Sequence, residues 1–302
     1  MRNVSLYDRQ DEYRRQAQAG DLSAALETAR RLWDAFPDRR NFTWMFLAAA
    51  HAALGDFGSV AQLLRQALDA NALWRLSLLA APGLQLVASD PECEAVIEEA
   101  RKRIDAKHYR PLVVVERPSH SGMAPMLLHL HGANSDAGGE MPRWRGAAGL
   151  GWIVAAGQSS QPSAEDLFCW DPPPERTRQD LLQISSMLPA HARLVLSGFS
   201  QGAWVALQAA LRADIFQPAG VIMVAPFLAG LERLEASGRR LRIAMVFGVE
   251  DPMIRQPELV LDTLAARGHH VEVVRVAGLG HAYPDDFAER LPGLLETVTR
   301  RA

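Results

Sequence analysis

The chain has 302 residues, of which 48% are apolar and 22% charged, and its formal net charge is −3. This apolar content excludes a chain that is disordered throughout, and the slight acidic excess argues against a nucleic-acid partner, which usually selects a basic surface. Its two cysteines, Cys93 and Cys169, have neither metal-type nor redox spacing, so no zinc site or disulfide framework is expected.

Two segments bear on localisation. Residues 1–15 are charged and lack an apolar run, so they do not resemble a cleaved signal peptide. The uncharged stretch from Gly146 to Ala164 is interrupted by glycine and proline and would be a poor membrane span. These features predict a soluble, cytoplasmic protein with no membrane span.

Apolar side chains recur with a helical period over roughly the first 110 residues. Polar residues that can cap a helix, and glycines that can end one, separate the periodic segments. Residues 1–108 are therefore predicted to form an all-α domain. The predicted helices are 5–19, ended by Gly20; 22–36, capped by Asp21; 42–54, capped by Asn41; one starting at 57, capped by Asp56; and 92–103, capped by Asp90.

This region contains an internal repeat. The segment starting at Gly20 aligns with the segment starting at Gly55, 35 residues later, and a weaker third unit is predicted over Asn71–Ala106. The period resembles the ~34 residues of tetratricopeptide helix pairs. Two or three such units leave an apolar face uncovered. That face is expected to pack on the C-terminal domain; the alternatives are a protein partner, a dimer interface or part of a substrate pocket.

From residue 109 onward, short runs rich in Val, Ile and Leu alternate with helix-like stretches. Most of these runs lack apolar–polar alternation, which indicates strands buried on both faces. The order predicts an α/β fold for residues 109–302, with a mostly parallel sheet, helices on both faces and the strand C-ends at one edge. The predicted strands are 112–116, 126–130, 152–156, 193–197, 220–225, 242–247 and 271–276, and the helices are 177–188, 201–212, 258–267 and 287–299.

One motif carries nucleophilic chemistry. Residues 198–202 read Gly-Phe-Ser-Gln-Gly, a G-x-S-x-G sequence that follows a predicted strand and precedes a predicted helix. That context is typical of a nucleophile elbow, a turn so tight that its flanking positions require glycine. Ser200 is therefore the predicted nucleophile; the alternative is a glycine-rich packing turn with an incidental serine.

A serine hydroxyl needs a base, and the base needs a carboxylate that orients it. With a nucleophile elbow the order along the chain is serine, acid, histidine. His281 follows the last predicted strand and is the predicted base, whereas His269 and His270 precede that strand and are expected to be solvated. Asp251 follows the strand before it and is the predicted acid, with Glu250 as the alternative.

An oxyanion formed on attack needs donors that are already in place. The backbone amide of Gln201 follows the nucleophile, and the amide of Ala133 follows an early strand, with Asn134 as a second candidate in that loop. His129 and His131 could instead be read as metal ligands. No carboxylate or cysteine stands nearby at ligand spacing, so no metal is predicted.

Aromatic residues after two strands are candidates for the substrate pocket. Phe168 and Trp170 lie in the segment 158–174, which follows a predicted strand and contains three consecutive prolines. Phe227 follows another strand in the same way. We expect these residues, with Asn134, to line the pocket; plain packing is the alternative for Trp170 and Phe227.

Residues from about 110 to 302 resemble the α/β-hydrolase superfamily, and they are most similar to its compact carboxylesterase, phospholipase and acyl-thioesterase branch. The resemblance is carried by His-Gly at 131–132, Gly-Phe-Ser-Gln-Gly at 198–202, Gly-x-x-Asp-Pro at 248–252 and Gly-x-Gly-His at 278–281.

The resemblance implies an eight-stranded sheet, hydrolysis of carboxylic esters or thioesters, and no metal or organic cofactor. It assigns Ser200, Asp251 and His281 as the triad and Gln201 and Ala133 as oxyanion donors. Seven strands are clear in the sequence, so a first edge strand would be missing or hidden near 107–110. The helical N-terminal third departs from the compact branch.

Two other functions use the same residues. One is a serine peptidase of the prolyl-oligopeptidase type, in which the N-terminal domain would filter peptides. That family usually has a β-propeller in this place, whereas residues 1–108 indicate helices. The other is a helical-repeat scaffold on a hydrolase fold that has lost its activity.

Overall fold

The computed structural model describes residues 6–70, 87, 90–119, 122–170, 174–228, 239–251, 253–254 and 257–300. The chain divides into two compact units. A helical unit comprises Met1–Tyr109 and the short segment Pro162–Leu167, and an α/β unit comprises Arg110–Gln161 and Phe168–Ala302. Within the described ranges, every helix is too short or too polar to cross a membrane.

The helical unit buries a continuous apolar core. Leu32, Trp44 and Leu64 are fully buried in it, as the helical period of the sequence predicts. The predicted N-terminal helical region is therefore confirmed. Its helices are α1 (Leu6–Gln18), α2 (Leu22–Ala35), α3 (Arg40–Ala53), α4 (Phe57–Asp69) and α5 (Pro91–Asp105).

Three of the predicted helix caps are confirmed. Asp21 accepts a hydrogen bond from the amide of Ala24, and Asp56 accepts one from Ser59, each at 3.1 Å. Asp90 caps α5 in the same way, through the amides at positions 92 and 93. These contacts satisfy amides that the first helical turn leaves without a partner.

The predicted cap at Asn41 is wrong. A 3₁₀ turn, Pro37–Arg39, leads directly into α3, which starts at Arg40, so Asn41 lies inside the helix. The N-cap position is Arg39, which makes no side-chain capping bond. The third repeat unit cannot be compared, because residues 71–86 and 88–89 lie outside the described residues.

The α/β unit is built on one sheet of seven described strands, in the order β1-β3-β2-β6-β7-β8-β9. β1 is antiparallel to β3, and all the other neighbours are parallel. A separate two-stranded hairpin pairs β4 with β5, and β4 lies in the segment Pro162–Leu167 that belongs to the helical unit. The strands are β1 (Leu112–Glu116), β2 (Met126–Leu130), β3 (Ile153–Gln158), β4 (Pro162–Ala164), β5 (Leu167–Phe168), β6 (Leu194–Phe199), β7 (Gly220–Val224), β8 (Arg242–Gly248) and β9 (His270–Val276).

Helices cover both faces of this sheet, so successive strand residues enter two different cores. In β2, Leu127 packs in the core that contains Trp144, whereas Leu128 packs in the core that contains Leu207. The predicted α/β-hydrolase fold is thereby confirmed. Its helices are α6 (Ala137–Trp144), α7 (Gly146–Gly149), α8 (Pro174–Met187), α9 (Gln201–Arg212), α10 (Pro257–Ala266) and α11 (Phe287–Thr299).

The eighth strand implied by the resemblance is not found among the described residues. Residues 107–110 form no strand, and β1 is the edge of the sheet. The other six strands run parallel to one another, so their C-terminal ends lie at one edge of the sheet. The loops after β2, β6, β8 and β9 therefore lie at one edge of the sheet, which is where ligands bind in open α/β sheets.

Candidate active site

Ser200 lies at a sharp turn between β6 and α9. Its φ of 50° and ψ of −118° place it in a region that side-chain-bearing residues rarely occupy. A Cβ added to Gly198 would lie 2.3 Å from the carbonyl carbon of Gly202, and one added to Gly202 would lie 2.2 Å from the Leu130 oxygen. Glycine at both positions therefore lets the strands and the helix approach closely enough to form this turn.

A continuous chain of hydrogen bonds links three predicted residues. The Nε2 atom of His281 lies 2.9 Å from Ser200 Oγ, and its Nδ1 atom lies 2.8 Å from Asp251 Oδ2. When Nδ1–H donates to the carboxylate, Nε2 is left to accept the serine proton. The other carboxylate oxygen accepts from the amide of Met253 at 2.8 Å. Pro252, in the same loop, lies outside the described residues.

Gly248 allows the loop after β8, which carries Asp251, to pack closely against the loop after β9, which carries His281. A Cβ on Gly248 would lie 1.9 Å from the Leu279 oxygen, so a larger residue would push the loops apart. Backbone bonds then join them: Val249 donates to Val276 at 2.9 Å and Glu250 donates to Leu279 at 3.1 Å. The side chain of Glu250, the alternative acid, is exposed, so Asp251 is the carboxylate that meets His281.

Two backbone amides at the ends of neighbouring strands are available as donors. Ala133 lies in the turn after β2, and Gln201 starts α9 after β6, which pairs with β2. Within the described part of the chain, neither amide has an acceptor. Free amides at a helix N-terminus favour an anion. Asn134, next to Ala133, has a φ of 58°.

The buried side chain of His131 is hydrogen-bonded to the turn after β2. Its Nδ1–H donates to the carbonyl of Gly132 at 2.7 Å, and its Nε2 accepts from the amide of Ser159 at 3.2 Å. Burial lowers the pKa of this imidazole to about 4, so the ring is neutral near pH 7. The ring is therefore a structural hydrogen-bonding group that fixes the loop carrying Ala133.

The predicted pocket residues differ in exposure. Phe168 and Trp170 are buried, and the indole of Trp170 donates to the His131 carbonyl at 2.9 Å while stacking on its ring. The amide of Trp170 donates to the side chain of Gln201 at 2.8 Å. Phe227 is half-buried, and its amide donates to the carbonyl of Ser200 at 3.1 Å. Trp170 thus packs against the loops that carry both candidate oxyanion donors.

His129, one of the two histidines that could be read as metal ligands, makes other contacts. His129 is buried, its Nδ1 atom lies 3.3 Å from Ser197 Oγ, and its ring stacks on Trp144. In the described ranges, no cluster of three or more His, Cys, Asp or Glu residues could hold a metal ion. His269, expected to be solvated, is instead buried, and its Nδ1 accepts a hydrogen bond from the amide of Leu241 at 3.2 Å; His270 is exposed as expected.

A buried polar cluster that was not predicted from the sequence lies beside the loop that carries His281. Glu140 on α6 accepts hydrogen bonds from Ser135 and from Tyr283, which follows His281 by two residues. The signal was present in the sequence. Glu140 falls at a core position of its helix, because it shares a helical face with Ala137 and Trp144, which are buried.

Residues 182–298 match the family model described as phospholipase/carboxylesterase. This segment contains Ser200, Asp251 and His281. The α/β unit thus has an α/β-hydrolase fold, and residues 182–298 within it are similar to the phospholipase/carboxylesterase family. No curated protein matches the chain in sequence.

Solved structures share the fold at low sequence identity. An uncharacterized protein from Bacillus cereus ATCC 10987, in a crystal structure at 2.75 Å, is 17% identical with a TM-score of 0.55; the match covers 97% of this chain and 99% of that one. The esterase PE8 is also 17% identical, with a TM-score of 0.54, and the match covers 63% of this chain and 99% of that one.

Proposed function

We propose that this protein is a serine hydrolase that cleaves carboxylic esters or thioesters through an acyl-enzyme. The observation that carries the proposal is the hydrogen-bond chain from Ser200 Oγ through His281 to Asp251, at 2.9 and 2.8 Å, next to two amides without acceptors. The match to the phospholipase/carboxylesterase family supports the same chemistry.

The proposed reaction has two halves. Ser200 Oγ attacks the acyl carbon while His281 Nε2 takes its proton, and Asp251 keeps the imidazole oriented and stabilises its positive charge. The oxyanion is held by the amides of Ala133 and Gln201. His281 then protonates the leaving alcohol or thiol. In the second half, water attacks the acyl carbon while giving a proton to His281, and His281 then returns that proton to Ser200 Oγ as the acyl–Oγ bond breaks and the acid leaves.

The test compares three proteins with p-nitrophenyl acetate and butyrate. Ser200→Ala is expected to lose at least about 10³-fold in kcat, because only binding and the oxyanion donors remain. Ser186→Ala is the matched control, since Ser186 is an exposed serine on α8. A fluorophosphonate probe should label the parent protein and the control but not Ser200→Ala. Equal turnover by Ser200→Ala and the parent protein would rule out the proposal.

The substrate class is proposed at the level of the bond that is cleaved. A series of esters and acyl thioesters graded by acyl length would identify the preferred acyl group. Cleavage of proline-containing peptides with a higher kcat/KM than any ester would favour the peptidase alternative. A folded protein that the probe fails to label would favour the inactive scaffold.

Association and localisation also remain predictions. A protein partner or a second copy of the chain bound through the helical region would appear as a larger mass in light scattering of the full-length protein. The cytoplasmic location would be tested by fractionation of cells that make the protein.

A further inference from the structure

We propose that Glu140 and Tyr283 are positioning residues that hold the loop carrying His281 and the loop carrying Ala133 in their reactive arrangement. The inference rests on the proposed function and adds to it a group outside the predicted triad and oxyanion donors. It concerns how the two loops are held rather than which atoms react.

The buried carboxylate of Glu140 accepts a hydrogen bond from one hydroxyl group of each loop. Glu140 Oε2 accepts from the hydroxyl of Tyr283 at 2.8 Å, and Oε1 accepts from the hydroxyl of Ser135 at 3.0 Å. Tyr283 lies two residues after His281, and Ser135 lies two residues after Ala133. The carboxylate therefore connects the two loops directly, through one bond to each.

The carboxylate is a strong acceptor despite its burial. Burial by itself would raise the pKa of Glu140, but contacts from His129, Tyr283 and Ser135 outweigh it, so the pKa lies below its ordinary value. The Nε2 atom of His129 lies 3.4 Å from Oε2, without the geometry of a hydrogen bond. Burial and the neighbouring carboxylate raise the pKa of Tyr283 well above 10, which keeps its hydroxyl a donor.

The position of the tyrosine ring is also determined. The indole of Trp144 donates to the Tyr283 hydroxyl at 3.1 Å, so this oxygen both gives and receives a hydrogen bond. The ring stacks on Phe199 with centroids 4.6 Å apart and planes 15° apart, and the Phe199 ring lies 5.3 Å from that of His281. Tyr283 is thus coupled to the candidate base through packing as well as through the backbone.

Phe199 reaches the oxyanion loop from the other side. A Cβ on Gly132 would lie 2.9 Å from the Phe199 ring, so the ring packs directly against the backbone just before Ala133. The ring therefore lies between the two loops that Glu140 joins by hydrogen bonds. Loss of the Glu140 contacts would let both loops shift, and a displacement of about 1 Å in an active site can cost about 10²-fold in rate.

The test uses Tyr283→Phe, which removes the hydroxyl and keeps the stacking ring. We expect kcat for p-nitrophenyl butyrate to fall about 10- to 100-fold while KM changes less than about threefold, because the substrate still binds but the reacting groups are misplaced. Glu140→Ala should behave like Tyr283→Phe. Glu140→Gln keeps an acceptor for Tyr283 and should retain more kcat than Glu140→Ala.

Thr297→Val is the matched control. Thr297 is a buried hydroxyl on α11 that donates to Glu272 at 3.1 Å, so the variant breaks the same type of bond in the same unit. Its kcat per probe-labelled Ser200 should equal that of the parent protein. Wild-type kcat in Tyr283→Phe, or an equal loss in Thr297→Val, would overturn the proposal. Ser200→Ala is measured in the same assay. If the proposed function is wrong, Ser200→Ala will turn over at the rate of the parent protein, whereas failure of the present inference alone leaves Ser200→Ala inactive.

Discussion

The helical unit and the α/β unit require glycine for different physical reasons. Gly20 and Gly55 follow helices α1 and α3 with φ of +77° and +75°, and an added Cβ would meet nothing within 4 Å. Gly202 and Gly248, in the α/β unit, have backbone oxygens 2.2 and 1.9 Å from such a Cβ. Glycine in the helical unit thus supplies a backbone conformation, and glycine at the candidate active site supplies space.

The difference predicts where each unit tolerates change. A left-handed residue costs about 1–2 kcal/mol when it carries a Cβ, and the surrounding helices need not move. A collision with backbone cannot be relieved by a side-chain rotation, so strands and helices would have to separate. The α/β unit is therefore least tolerant at the turns that place Ser200 and Asp251.

The comparison is tested most strongly by Gly202→Ala against Gly55→Ala. We expect Gly202→Ala to lose essentially all hydrolysis and probe labelling, because its Cβ would collide with the end of β2. Gly55→Ala should lose about 1–2 kcal/mol in urea denaturation and keep its kcat. Gly149→Ala, which has open space in the α/β unit, is the control and should behave as the parent protein. Wild-type activity in Gly202→Ala would show that the turn can relax.

The loop after β8 carries two acidic residues, Glu250 and Asp251, whose substitutions should have very different effects. Asp251→Asn should lower kcat by about 10³- to 10⁴-fold, because an amide neither selects the correct tautomer of His281 nor stabilises its positive charge. Glu250→Gln, an equal change at the neighbouring exposed residue, should leave kcat unchanged. The measurement is p-nitrophenyl ester turnover, with circular dichroism to confirm folding. The reverse ranking would assign the acid to Glu250.

Much of the fold followed from local patterns. The helices over 201–212 and 287–299 have the predicted bounds, and every strand of the main sheet overlaps a predicted apolar run. Strong signals were responsible, since buried parallel strands are continuous apolar runs and the helices between them are amphipathic. The helices α6 and α7 were missed because they are short and contain glycine, with a proline in α6, and both residue types favour loops.

In the candidate site too, some residues could be identified from local sequence patterns and others could not. Ser200, Asp251 and His281 could be selected because each follows a predicted strand, and parallel strands bring their C-ends to one edge. The contact of Glu140 with Tyr283 joins residues 143 positions apart, and no local pattern encodes such a pairing. The hydrogen bond from the Trp170 indole to the His131 carbonyl likewise depends on tertiary packing.

The buried His131 makes the α/β unit sensitive to acid. Its pKa is lowered from the ordinary 6.5 to about 4 by burial, so the unfolded chain binds the proton more readily than the folded one. The stabilisation by the neutral ring is complete above pH 6.5 and is lost as the pH falls to about 4. The shift corresponds to about 3 kcal/mol.

Hydrogen exchange can measure this loss separately in each unit. After correction for the intrinsic pH dependence of exchange, protection of the β2 amides should fall by about 10²-fold between pH 6.5 and 4, since each 1.36 kcal/mol is a factor of ten. The amides of α3 in the helical unit provide an internal reference. His131→Asn removes the titrating ring, so its β2 protection should change less over this range. An identical pH response in the parent protein and His131→Asn would mean that His131 is not the group that couples acid to the stability of the oxyanion loop.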